Sequence, residues 1–412
     1  MSETSEDYDP FDQFSRAQGA GVVEDPYPEW IKLRKQAGVI EADPAEFGTM
    51  ALLGAGDGGV FLAVSYEAVQ QVLRDGGTFS SSGYANTMGQ VFGHSILEMD
   101  APEHLQHRSL LQQAFTKRAL ERWETDLVRP AINRRIDSFI ERGHADLVRE
   151  LTFPFPVEVI AEMIGVPEER HDDFHRWAVE VISIQIDIER GLAASANLRE
   201  LFAEVLEERR REPREDLMSI LGSAELDGQR LADESIFAFC RLLAPAGAET
   251  TYRSSSNLLV GLLTHTEQLD ALRADPAGLM PGAIDEGLRW ECPLTGISRT
   301  TTRDSTVCGV SIPKNAGVMV NLGSANHDST RFEDPRRFDI RRPNAKQHLA
   351  FAFGPHRCLG QHLALMETRV LLEQLFARLP NLRLDPEKAP PQITGLMFRS
   401  PPSIHVVFDV EN

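Results

Sequence analysis

The stretch Phe351-Ala352-Phe353-Gly354-Pro355-His356-Arg357-Cys358-Leu359-Gly360-Gln361-His362-Leu363-Ala364 decides how the rest of the chain is read. Its cysteine stands at the start of a helix-spaced apolar run expected from about Cys358 to Leu379. A thiolate at the mouth of a helix meets unpaired backbone N–H groups and the positive end of the helix dipole, and both lower its basicity. That environment suits a metal ligand. Gly354 and Gly360 remove side chains on either side of the cysteine, which would let a flat macrocycle lie against the backbone, and Phe351 can shield the sulfur from water. N–H contacts of this kind tune the potential of a bound metal.

Three further clusters carry chemistry. In Glu286-Gly287-Leu288-Arg289, on a short helix expected over Pro281 to Trp290, the acid and the guanidinium share a face at i and i+3 and can both reach a third group. Ala246-Gly247-Ala248-Glu249-Thr250-Thr251 falls in the middle of a helical pattern from Asp233 to His265. There Gly247 would leave room for a small gas beside an alcohol and a carboxylate able to move protons. Pro245 should bend or open the helix just before that groove. The alternative is a plain Pro/Gly kink with the threonine bonding back to its own helix. In His104-Leu105-Gln106-His107-Arg108, preceded by Met99-Asp100-Ala101-Pro102-Glu103, His104 and Arg108 lie at i and i+4 and can grip one anion.

Together, FxxGxHxCxG with Ala364, ExxR some 70 residues earlier, AGxET and HxxxR resemble the motifs of the cytochrome P450 family, in particular its bacterial soluble haem-thiolate monooxygenases. The resemblance extends over nearly the whole chain and is weakest before Asp25 and from Pro167 to Arg214. It implies a mainly α fold with small β-sheets, a single-domain cytochrome P450 fold over residues 25–412, and a polar, partly flexible segment over 1–24. Haem b (iron protoporphyrin IX) would lie between the long central helix and the helix that follows the cysteine loop. Cys358 becomes the iron ligand, with Ala246, Phe351, Gly354, Gly360 and Ala364 along the cofactor. His104, Arg108, Arg299 and His356 become the propionate contacts. Glu286, Arg289 and Arg342, the last within Phe338-Asp339-Ile340-Arg341-Arg342, would lock the segment before the cysteine loop. Thr250 becomes the oxygen-activating alcohol and Glu249 its acid. The resemblance puts the substrate contacts in those weakly matching regions, before Asp25 and from Pro167 to Arg214, together with Tyr84 to Leu97, and by position Leu242, Ala246, Thr295, Ile297, Leu396 and Met397 would also face the substrate.

Composition agrees with a large enzyme core. Of 412 residues, 42% are hydrophobic and 25% charged, enough to enclose a sizeable cofactor. A net charge of −20 argues against nucleic acid as the main partner. No apolar stretch is long enough to span a bilayer, and the opening MSETSEDYDP lacks the basic and apolar parts of a signal peptide, so a cytoplasmic protein without a membrane anchor is expected. Cys240, Cys292, Cys308 and Cys358 form no CxxC pair, which speaks against a zinc or disulfide framework. No repeat of 20 to 50 residues is evident.

Along the chain the pattern predicts a short helix after Asp25-Pro26 and a hairpin of Met50 to Leu53 with Val60 to Val64. Ser65 should cap Tyr66 to Arg74, a long loop should run from Gly76 to Asp100, and helices should fill Pro102 to Leu221. A small sheet should form from Ile297 to Thr302, Ser305 to Ile312 and Val318 to Leu322, and a terminal ribbon from Ile393 to Val410.

The expected activity is insertion of one oxygen atom from dioxygen into an apolar small molecule such as a terpenoid, steroid, fatty acid, aromatic or macrolide. The glycine-rich run Gly54 to Gly59 reads as a turn leading into the strand Val60 to Val64 and not as the strand-to-helix turn of a Rossmann fingerprint, so electrons from NAD(P)H should arrive through a separate reductase and a [2Fe-2S] or similar ferredoxin. The ferredoxin would dock on Arg108, Lys117, Arg118, Arg122, Lys346, Arg357 and Arg369, and the enzyme itself should be a monomer. Two competitors are a haem-based sensor, which would have no use for Glu249 and Thr250, and a peroxide-driven enzyme, which would not need an intact acid–alcohol pair.

Overall fold

Side-chain caps set many helix boundaries in the computed structural model, which describes residues 10–42, 57–226 and 228–410. Ser65 Oγ accepts the Ala68 N–H at the start of Tyr66–Arg74, as the sequence predicts; Thr116 does the same for Lys117–Trp123 and Asp216 for Leu217–Ser223. Each such cap is worth about 1 kcal/mol. Pro154–Ile164 ends at Gly165 with φ 96°, where a Cβ would strike the Asp216 carboxylate, so both the left-handed turn and the close approach require glycine.

The longest helix, Asp233–Thr264, has 32 residues and so spans about 48 Å at 1.5 Å per residue. Pro245 does not open it; the helix runs through unbroken, with Ala244 and Pro245 both buried. Packing offsets the cost of a proline inside a helix, about 3 kcal/mol for the missing N–H and the ring clash together. From Thr251 to Leu263 every residue is buried, and the polar ones find partners inside the protein. Ser255 Oγ donates to the Thr251 carbonyl at 2.7 Å, Asn257 Nδ2 to the carbonyls of Glu291 and Arg399 at 3.1 and 3.0 Å, and Ser256 Oγ meets Thr152 Oγ1 at 2.7 Å.

The helix carrying Glu286 begins at Pro276, not Pro281, because Asp275 caps it by accepting the Gly278 N–H. A separate helix, Thr266–Ala274, precedes it. The helix after the cysteine loop is Gln361–Arg378, so Cys358 stands ahead of it and not on its first turn. Within Gly76–Asp100 the chain makes only short elements, Phe79–Ser80, Ser82–Asn86 and Gly89–Phe92.

The main sheet has five strands in the order 39–42, 60–63, 317–321, 296–301, 79–80. Val60–Ala63 pairs antiparallel with Val39–Ala42 and parallel with Gly317–Asn321. It is therefore an inner strand, buried along its whole length, rather than half of a local hairpin; Met50 to Leu53 lies outside the described residues. The expected terminal ribbon reduces to His405–Val407, which pairs with His144–Asp146 and Arg383–Leu384, plus isolated bridges at Leu294–Phe398 and Thr394–Ser400. Residues 10–17, within the segment expected to be polar and partly flexible, form a helix with Phe14 buried.

Glu286, Arg289 and Arg342 meet in the interior. Glu286 and Arg289 are each 0% exposed. Glu286 Oε2 accepts from Arg289 Nε at 2.7 Å and from Arg342 Nε at 3.1 Å, while Oε1 accepts from Arg289 Nη2 at 2.8 Å and from the Asp339 N–H at 2.9 Å. Arg289 Nη1 also donates to the carbonyls of Asn326 and Pro335, and Arg342 Nη1 to that of Glu333. Glu286→Ala would leave two buried guanidiniums facing each other, a cost of about 3–5 kcal/mol. A sharp drop in melting temperature, measured by circular dichroism, and largely insoluble protein are expected; an unchanged melting curve would show the carboxylate to be dispensable.

Candidate active site

Cys358 is positioned by a closed loop. Its N–H donates to the Phe351 carbonyl at 2.9 Å across a single 3₁₀ turn, Gly354–His356. Burial pushes the thiol up, while the Gly360 N–H, the Arg108 charge, the Gln361 N–H and the Arg357 charge pull it back down. The side chain keeps accessible surface while the loop around it is crowded enough for burial to dominate. The N–H groups ahead of the helix thus reach the sulfur even though the cysteine is not on the helix itself.

Beside the loop lie nitrogen donors short of acceptors. His104 is 1% exposed and its Nε2 has no partner; its ring sits 4.0 Å from that of His356. Arg299 is 6% exposed and donates to its neighbouring Ser298 carbonyl at 2.7 Å. Burial, reinforced by Arg299, His104 and Arg108, pushes His356 down to about 3. Asp100 is the acid whose charge reaches His104 and Arg299, but its oxygens take Ser80 Oγ and the Ser81 N–H. A buried set of donors without a carboxylate of its own calls for an anionic ligand. Arg108 Nη2 donates to the Arg357 carbonyl at 2.8 Å, tying the HxxxR helix to the cysteine loop. Gly360 faces open space, where a Cβ would meet nothing within 4 Å. These features fit haem, a flat ring with one metal and two carboxylates. Phe351 packs at 5.6 Å from the His348 ring, and the Ala364 N–H closes the first turn on the Gly360 carbonyl at 3.0 Å.

A cavity of about 220 Å³ lies against the middle of the long helix. Leu242, Pro245, Ala246, Glu249 and Thr250 form one wall, Ile297, Ser298 and Met319 another, and Met397 with Phe398 a third. Tyr84, Met88, Phe92 and Leu97 bring in the segment from Tyr84 to Leu97. Thr250 Oγ1 donates to the Ala246 carbonyl at 2.7 Å, the back-bond weighed above as the alternative to an open groove. Burial pushes the Glu249 carboxyl up, and Arg253 opposes it; Oε2 accepts from Arg253 Nη2 at 3.0 Å. A larger polar cleft of about 1070 Å³ contains Arg134, Glu158, Arg209 and Asp216, but these already pair with one another or with Arg135, and no cysteine-loop residue lines it.

Several expectations change. Thr295 is 4% exposed and spends its hydroxyl on the Leu396 carbonyl at 2.7 Å, joining two chain segments; it does not line the cavity. Leu396 points outward, 44% exposed. Gly354 is required by the Leu73 carbonyl, 2.2 Å from where its Cβ would stand, and by φ 73°. Gly247 makes room for Ile160 of Pro154–Ile164, whose Cδ1 would lie 2.6 Å from an added Cβ, and it is absent from the cavity wall. Its smallness serves a helix crossing, not a small gas.

Glu367 was not foreseen. Fully buried, it accepts from the Thr251 hydroxyl at 3.3 Å through Oε2, and Oε1 has no partner. It joins the helix after the cysteine loop to the long helix one residue from Thr250. An acid nine residues beyond Cys358, on a buried helix face, was the available signal.

Residues 181–407 match the sequence profile described as Cytochrome P450. The chain is 36% identical over 359 residues to a steroid C26-monooxygenase of Mycolicibacterium smegmatis, covering 85% of this chain and 88% of that one. It is 34% identical over 382 residues to the cytochrome P450 monooxygenase PikC of Streptomyces venezuelae, covering 90% and 87%. The structure of cytochrome P450 CYP109Q5 from Chondromyces apiculatus superposes with a TM-score of 0.84 at 35% identity, covering 96% of this chain and 98% of that one. For CYP109E1 from Bacillus megaterium in complex with testosterone the TM-score is 0.83 at 29% identity, covering 94% and 100%. The chain belongs to the cytochrome P450 family. It has that fold, and it is an oxidoreductase of the monooxygenase class with a haem cofactor.

Burial pushes Glu367 up to about 8. The unfolded carboxyl releases its proton near 4.3, so stability linked to the neutral acid is fully present below about pH 4 and is lost as pH rises through 8. Glu367→Gln, of the same shape and uncharged, should therefore flatten the fall in melting temperature between about pH 5 and 8 and raise the melting temperature at the upper end. Identical pH profiles for the two proteins would show that the acid ionises without cost.

Proposed function

We propose that residues 25–412 act as one monomeric, cytoplasmic enzyme that binds haem b and inserts one oxygen atom from dioxygen into an apolar small molecule. Electrons would come from NAD(P)H through a separate reductase and a [2Fe-2S] or similar ferredoxin. The observation that carries this reading is the cavity itself: a mostly apolar chamber whose wall includes an adjacent acid and alcohol, Glu249 and Thr250. Among the described residues no helix is long and apolar enough to cross a membrane.

In this reading Cys358 holds the iron, and His104, Arg108, Arg299 and His356 hold the propionates. Bound haem supplies the reductive activation of dioxygen and the transfer of one oxygen atom to the substrate. Phe351 keeps water from the sulfur. Leu242, Ile297 and Met397 hold an apolar skeleton against the long helix, and relatives named as steroid C26-monooxygenase and erythromycin C-12 hydroxylase make polycyclic or macrocyclic skeletons the first to try. The Thr250 hydroxyl orders water in the cavity once it turns from the Ala246 carbonyl. Glu249, with Oε2 on Arg253, passes protons through Oε1, which takes no bond from Arg253.

The dithionite-reduced protein with carbon monoxide should show the long-wavelength Soret band of thiolate ligation, and Cys358→His should lose it. Thr250→Ala should keep that band and its substrate affinity yet release hydrogen peroxide, so that nicotinamide is consumed faster than product forms. A fully coupled Thr250→Ala enzyme would reduce the hydroxyl to a helix back-bond.

Of the expected docking residues, Lys117, Arg122 and Arg369 pair with Glu121, Glu215 and Glu124, whereas Arg118, Lys346 and Arg357 form no ion pair among the described residues. Because exposed charges are screened beyond about 8 Å at 0.15 M salt, reduction by an acidic ferredoxin should slow as ionic strength rises, and more weakly so in Arg118→Glu/Lys346→Glu. A stopped-flow rate independent of salt would move the docking face elsewhere.

A further inference from the structure

The N-terminal helix Pro10–Ala17 is tied into the interior at several points. The Phe14 ring, 2% exposed, meets Phe398 edge-on at 5.2 Å and lies 5.9 Å from the Arg253 guanidinium. Ser15 Oγ accepts from Arg253 Nη2 at 3.3 Å, and Asp12 pairs with Arg149 at 2.6 Å. Past the helix, Gly19 at φ 85° turns the chain back. The carbonyls of Gln18 and Val23 can then accept the N–H groups of Leu396 and Gly395 at 2.9 and 2.8 Å, and Thr394 Oγ1 accepts the Gly21 N–H at 3.0 Å.

Held in this way, Phe14 and Gln18 become part of the cavity wall that also contains Ala246 and Thr250. Most polar groups of that wall are already engaged. The Tyr84 hydroxyl accepts the Ser298 N–H, Thr250 donates to its own helix, and Glu249 holds Arg253. The Gln18 carboxamide makes no hydrogen bond with any described residue. It offers two donors and an acceptor to whatever fills the cavity.

We propose that this helix and its turn are a specificity-determining wall of the substrate site. Phe14 closes the apolar chamber, and the Gln18 carboxamide reads a hydroxyl or carbonyl oxygen on an otherwise apolar substrate. The inference rests on the monooxygenase reading above. A substrate that covered Gln18 without offering an oxygen would leave the amide buried and unpaired, so selection comes from that penalty as much as from the bond formed.

The test uses the haem-loaded enzyme and two series of probes, 1-alkylimidazoles with tails of six to twelve carbons and their ω-hydroxy counterparts, with binding read from the Soret shift. At the tail length that reaches Gln18, the wild type should bind the hydroxylated probe about fivefold more tightly than its partner, the size of one net hydrogen bond. Gln18→Leu should erase that preference, and Phe14→Ala should weaken both series about tenfold, with Phe14→Leu recovering most of the loss. Should Phe14→Ala dislodge the helix altogether, Gln18→Leu still decides. Equal preference in wild type and Gln18→Leu at every tail length would overturn the proposal while leaving the enzyme class intact. No Soret response to any imidazole in the wild type would instead remove the haem-enzyme reading, and the inference with it.

Discussion

A single buried carboxylate organises the cysteine side of this protein. Glu286 gathers donors from Arg289, Arg342 and the Asp339 backbone, so its own helix and the distant segment Asp339–Arg342 are fixed at one point. The constraint propagates. Arg289 holds the Asn326 carbonyl, and the Asn326 side chain accepts the Leu349 N–H at 2.7 Å. The Leu349 carbonyl in turn takes the Ala352 N–H, and the Phe351 carbonyl takes that of Cys358. The position of the sulfur is thus set by a chain of hydrogen bonds that begins at a charge with no access to water. A buried carboxylate is tolerable only when its donors are complete, which is why the meander from Asn326 to Arg342 wraps the triad so closely.

The long helix meets the opposite demand. It has to be buried almost all round and still present polar groups at its middle. It does so by giving most of its buried polar side chains partners away from the cavity, as with Asn257 Nδ2 on two carbonyls and Arg253 on Ser400. Little polarity is left facing the chamber. The acid and alcohol there, and the carboxamide of Gln18, therefore act in surroundings of low dielectric, where each counts for more than it would in water.

Close packing also explains where motif reasoning went astray. Gly247 and Gly354 sit in motifs whose glycines invite a functional explanation, yet each is demanded by a neighbour, Ile160 in one case and the Leu73 carbonyl in the other. Thr295, selected as a pocket residue by position, is turned away because its hydroxyl donates to the Leu396 carbonyl.

The sequence by itself determined the cysteine loop, the ExxR pair, the adjacent acid and alcohol on a helix longer than 30 residues, and the mainly α class. These are local patterns, in which residue spacing fixes what can share a face. Only the tertiary structure decided that Val60–Ala63 is an inner strand, that the Asp339 N–H joins the expected Arg342 at the Glu286 site, that Glu367 meets Thr251 with its Oε1 left without a partner, and that Phe14 and Gln18 wall the cavity. In each of these the partners are far apart along the chain: Phe14 and Phe398 lie at opposite ends of it. Sequence periodicity carries the burial of a face but not the identity of what covers it, since that is settled by which surfaces come together as the core closes.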